Sequence, residues 1–89
     1  MIFMDIKTLN SQIQKKISKK VLCDSILIED KTFLHIKHKT NDKNKFHIKV
    51  IIKSSELSSL SRIDANKKIY SILSEEMKKY IHSIQIQIL

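Results

Sequence analysis

Glycine, proline and tryptophan are absent from this 89-residue chain, cysteine occurs once, and only one of its seventeen basic residues is arginine. Each shortage excludes something. Without glycine there is no glycine-rich phosphate loop and no Gly-x-x-Gly clamp for a nucleic-acid backbone. A single cysteine, Cys23, allows no internal disulfide and points to a reducing, cytoplasmic setting. No apolar run approaches the ~20 residues of a membrane-spanning helix. The start, Met1-Ile2-Phe3-Met4, lacks the basic region of a secretory signal. No nucleophile–base–acid set and no paired acids in a cleft can be assembled, so the chain is not read as an enzyme.

What is present is isoleucine, lysine and a net charge of +8. Both residues have A- and T-rich codons, so the lysine content reads first as the stamp of an AT-rich genome. Weak, non-specific attraction to polyanions at low salt follows regardless. With 42% hydrophobic residues, the chain can fill one two-layer core, which predicts a single domain over residues 1–89.

Asp5 is placed to cap a first helix running to Lys19 or Lys20, with Ile6, Leu9, Ile13 and Ile17 on one stripe. Lys15, Lys16, Lys19 and Lys20 crowd its last turn, where cations suit the helix dipole. Residues 25–30 read as a strand. Residues 32–39 extend it into a polar hairpin arm whose tip is the Asn41-Asp42-Lys43-Asn44 cluster. Residues 45–53 form a second strand, with Phe46, Ile48, Val50 and Ile52 facing the core and His47, Lys49, Ile51 and Lys53 facing solvent. A short helical turn over residues 56–60 precedes a long helix over residues 61–79. That helix buries Ala65, Ile69, Ile72, Leu73, Met77 and Tyr80. Glu75-Glu76 reads as a solvated pair on it, and Cys23 as a small buried hydrophobe. The last strand, residues 81–89, alternates His82, Ile84, Ile86 and Ile88 against Ser83, Gln85 and Gln87. The order α-β-β-α-α-β predicts an α+β fold, a three-stranded mixed sheet under helices on one face.

Topology gathers the four histidines. The hairpin makes the first two strands antiparallel, and a right-handed helical crossover makes the second and third parallel. If these are neighbours, His35 and His38 on the arm, His47 at the start of the second strand and His82 at the start of the third share one sheet edge. Alternation then assigns His82 to the apolar face under the helices and His47 to the solvent face. Taken singly, each reads as a residue that hydrogen-bonds its surroundings. His-x-x-His in a loop is a weak metal signature, and Cys23 lies at the far end of the sheet.

Three stretches in register resemble the BolA family. His47-Ile48-Lys49-Val50-Ile51-Ile52-Lys53-Ser54-Ser55-Glu56-Leu57 is similar to its second strand and exit. Ile69-Tyr70-Ser71-Ile72-Leu73-Ser74-Glu75-Glu76-Met77 is similar to its long helix, and Ile81-His82-Ser83-Ile84 to the segment with its hallmark histidine. Asp30-Lys31-Thr32-Phe33-Leu34-His35-Ile36-Lys37-His38 looks like the lead into its variable loop. The chain departs where Ser58-Ser59 replace a usual glycine and Ala65-Asn66-Lys67 a usual Arg-His pair. Leu60-Ser61-Arg62-Ile63 is closer to the YrbA-like branch.

The resemblance implies a class II KH-like fold and a non-enzymatic adaptor role beside a monothiol glutaredoxin, in iron–sulfur cluster assembly, trafficking or iron regulation. A 2Fe–2S cluster would be shared, the partner and glutathione holding one side, His82 and one of His35 or His38 the other. Imidazole is a competent ligand for such iron. His47 would contact the partner. By itself the protein is expected as a monomer or weak dimer. The alternative implied by the family is a KH-like nucleic-acid-binding transcriptional regulator active in stress response.

Overall fold

Asp5 opens the first helix: its side chain accepts a hydrogen bond from the backbone N–H of Thr8 at 2.7 Å. The structure, a computed structural model, describes residues 5–31 and 45–89. The element order is α1 (Ile6–Lys20), β1 (Ser25–Asp30), β2 (Phe46–Lys53), α2 (Ser55–Ser58), α3 (Arg62–Ile72), α4 (Ser74–Lys79) and β3 (Ile81–Ile88). The hairpin arm and its tip, with His35 and His38, lie outside the described residues.

Side-chain oxygens cap the starts of α1, α2 and α3, whereas α4 follows Leu73 without a side-chain cap. Ser54 Oγ accepts from the N–H of Leu57 and Ser61 Oγ from that of Asp64, both at 3.1 Å. Ser54 is also buried and donates to the carbonyl of Leu22 at 2.7 Å, so one hydroxyl ties the connector before β1 to the start of α2. No described residue has a positive φ. α1 ends instead on the extended Val21 at φ −134°, ψ 133° and α2 on the right-handed Ser59 at φ −79°, ψ −13°. The described turns thus need none of the left-handed conformations that favour glycine.

The sheet order is β1-β2-β3. β1 and β2 are antiparallel, with Ser25 opposite Lys53 and Asp30 opposite Ile48, and β2 and β3 are parallel. Ile28, Ile48, Val50 and Ile52 of the sheet join Leu9, Ile13 and Ile17 of α1 and Ala65, Ile69 and Leu73 of the long helical segment in one buried cluster. Cys23 is half-buried at its margin rather than enclosed.

The long helix is two helices in one path. Leu73 (φ −100°, ψ 19°) separates α3 from α4, yet hydrogen bonds from its N–H to Ile69 and to its carbonyl from Met77 carry the course through. Its buried stripe holds one residue read from sequence as solvated. Glu75 is exposed, but Glu76 has no exposed side-chain surface. Glu76 lies three residues beyond Leu73 and seven beyond Ile69, on the core-facing stripe. There α1 supplies its partners: Lys16 Nζ sits 2.7 Å from Oε2, and Gln12 donates to the same oxygen. Burial pushes the Glu76 carboxyl up, but the hydrogen bonds from Lys16 and Gln12, with its own backbone N–H, outweigh it and hold it below the usual carboxylate range. The bond to Glu76 in turn raises Lys16.

Candidate functional site

The parallel pairing of β2 with β3 is interrupted at its first step. Phe46 is opposite Ile81, but His47 is opposite Ser83, so His82 is an extra residue in β3. This is a β-bulge, which leaves one residue unpaired and re-aims its neighbours. The Phe46 N–H donates to the Tyr80 carbonyl at 2.8 Å and anchors the bulge to the exit of α4. Ile81 on one side is fully buried and Ile84 on the other packs against the core, while His82 and Ser83 are both exposed.

His82 therefore does not share the apolar face with Ile84 and Ile86, as simple alternation predicts; the bulge turns it out. His47 is also corrected. It lies on the face away from Ile48, as expected, but it is only 2% exposed. Its Nδ1 is 2.7 Å from Ser83 Oγ, and its ring meets that of His82 edge-on, with centroids 4.7 Å apart and planes at 63°. Its backbone carbonyl accepts from the N–H of Lys31 at 2.7 Å, which places the end of the first hairpin strand beside it. Two of the four histidines thus meet where β2 and β3 begin, and Lys31, just past the end of β1, lies next to them. Whether His35 or His38 completes the group lies outside the described residues.

The chemistry available is that of one accessible imidazole held against one buried imidazole. Ser83 fixes the orientation of His47 through Nδ1, and His47 presents a ring edge or face that limits how His82 can rotate. Among the described residues no group of three or more His, Cys, Asp or Glu side chains could hold a metal ion. An iron centre on His82 would need ligands from the arm or from another molecule.

Residues 17–89 match the family model of BolA-like proteins. The chain belongs to the BolA family. Among curated BolA-family relatives, it is 26% identical over 76 residues to the DNA-binding transcriptional regulator BolA of Haemophilus influenzae, across 85% of this chain and 71% of that protein. It is 28% identical over 79 residues to the UV-induced protein uvi31 of Schizosaccharomyces pombe, across 84% and 78%. The fold is similar to that of BolA1 from Arabidopsis thaliana, with a TM-score of 0.72 at 23% identity over 88% of this chain and 86% of that one. It is similar also to the BolA domain of SufE1 from the same plant, with a TM-score of 0.76 at 22% identity over 96% and 92%. The expected α+β architecture with a three-stranded mixed sheet and the expected family are those observed, and the second and third strands are neighbours. Among the described residues no helix is long and apolar enough to cross a membrane.

Ser83 is the site residue that sequence reading passed over, because alternation assigned it to a polar face with no partner. The register of β2 against β3, once known, puts it opposite His47.

Proposed function

We propose that this BolA-family chain is a non-enzymatic adaptor that pairs with a monothiol glutaredoxin to hold a shared 2Fe–2S cluster, in iron–sulfur assembly, trafficking or iron regulation. His82 is the ligand it offers, with His35 or His38 as the second. The observation that carries the reading is the bulge: it exposes one imidazole at a sheet edge and backs it with the buried His47. The residues fit the group. Neutral imidazole ligates iron in place of thiolate, and an incomplete donor set suits a cluster whose other ligands come from a partner and glutathione. In that complex the cluster supplies the redox chemistry. The chain orients His82, keeps Ile81 and Ile84 anchored on either side of it, and presents the surrounding edge to the partner.

Cluster-loaded glutaredoxin with glutathione should change its visible circular dichroism on addition of this protein, and His82→Ala should abolish the change. An unaltered response from the variant would remove His82 from the ligand set.

The name of the Haemophilus influenzae relative favours a second reading, a DNA-binding regulator, and the charge of +8 is compatible with it. A salt titration with promoter and arbitrary DNA separates the two. Equal, weak binding lost on both as salt rises is electrostatics alone; binding retained on the promoter supports a regulator.

A further inference from the structure

β3 is the last strand of the sheet, and no described strand pairs with its outer edge. Natural edges are usually guarded by charge, proline or brevity. This one is not: residues 81–89 contain none of the chain's 26 Asp, Glu, Lys and Arg residues. Its single bulge is confined to His82, at the beginning. From Ser83 the strand runs regularly to Ile88, with Ile84, Ile86 and Ile88 half-buried and Gln85 and Gln87 exposed.

Sequence, backbone and charge bear on what this edge can pair with. Ile84-Gln85-Ile86-Gln87-Ile88 reads the same in both directions. An antiparallel copy centred on Ile86 would set Ile86 opposite Ile86, Ile84 opposite Ile88 and Gln85 opposite Gln87. Every rung then matches like with like, the self-complementarity that a two-fold contact demands. The backbone agrees. The N–H of Leu89 donates inward to the Ile52 carbonyl at 2.8 Å. Alternation along a parallel ladder therefore turns the N–H and C=O groups of Ile84, Ile86 and Ile88 outward. Those residues are the ones that exchange paired hydrogen bonds in the antiparallel register centred on Ile86. Charge points the same way, since two molecules at +8 repel and the uncharged strand is where they can approach. Leu60 lines a pocket with Ile86, Gln87 and Ile88, with Arg62 beside it, and Leu60 and Leu89, 39% and 58% exposed, add apolar surface.

We propose that two copies of this chain associate through β3, antiparallel about Ile86, into a continuous six-stranded sheet. The register ends before His82, so the bulge and its imidazole stay outside the contact.

Sedimentation over a concentration series, in low and moderate salt, tests it with two exposed glutamines as handles. The wild type should show a monomer–dimer equilibrium that tightens as salt screens the repulsion. Gln85→Lys/Gln87→Lys places lysine opposite lysine on two rungs and should raise the dimer Kd by roughly tenfold or more. Mixing it with Gln85→Glu/Gln87→Glu should restore a mixed dimer. Amide hydrogen exchange on the wild type adds a readout that needs no variant: Ile84, Ile86 and Ile88 should gain protection as concentration rises. A wild type that stays monomeric overturns the proposal. So does a lysine variant that dimerises unchanged, growth into open polymers, or protection that is independent of concentration.

Discussion

Replacing Lys16 with methionine leaves the enclosed Glu76 carboxylate with Gln12 and its own N–H as partners. Breaking a buried ion pair by deleting one member costs ~3–5 kcal/mol, because the remaining charge is stranded; the Lys16 side chain is 35% exposed, and solvent screening discounts this to about 2–3 kcal/mol. In a domain of this size each kcal/mol moves the midpoint by several degrees, so the melting temperature should fall by roughly 10–20 °C. The pH dependence gives a sharper signature. In the wild type Glu76 titrates below its ordinary 4.5, so its contribution is present above that pH and is lost as pH falls through the folded value. Lys16, raised above 10.5, contributes below that pH and is lost as pH rises through its folded value. In Lys16→Met burial dominates and pushes the carboxyl up, so acidification neutralises a stranded charge and relieves the variant. The stability gap between the two proteins should therefore be widest near neutrality and narrow between pH 7 and 4. Lys16→Met/Glu76→Leu, which removes both charges, should recover most of the loss. Chemical denaturation followed by circular dichroism across pH measures all three. A gap below about 0.5 kcal/mol at pH 7, the range of an exposed pair, would mean that Glu76 is not stranded by the loss of Lys16, as would a gap that does not change on acidification.

Ser54→Ala removes a buried hydroxyl that both caps α2 and holds the Leu22 carbonyl, and denaturant unfolding should show a loss of about 1–2 kcal/mol with an unchanged m-value. Ser83→Ala takes away the partner of His47 Nδ1; a stability loss of about 1 kcal/mol is expected, with altered imidazole nitrogen resonances of His47 and then of His82. If only His47 responds, the two rings are not mechanically coupled.

Periodicity in the sequence carried much of the architecture. Residues 25–30 were legible as a strand to the residue, and the stripe Leu9, Ile13, Ile17 identified the core face of α1, because both patterns are set by local geometry. The bulge was not legible by alternation, since a strand considered alone has no register. Its trace is there all the same: Ile81 and Ile84 are both core residues three apart, a spacing that a regular strand cannot place on one face. Glu76 was misread for a similar reason. Its stripe position was visible, but the cation and amide that make its burial tolerable belong to α1, some sixty residues earlier. His47 was assigned to the correct face, while its enclosure depends on the ring that the bulge brings to it.

In the proposed function, the bulge presents His82 to iron held jointly with another protein. Nuclear magnetic resonance of the imidazole protons, recorded while adding a monothiol glutaredoxin first without and then with its 2Fe–2S cluster, tests this most directly. The His82 signals should shift or broaden strongly only with the loaded partner, followed by smaller changes at His47. His82 signals that respond equally to the cluster-free partner, or to neither, would contradict that function.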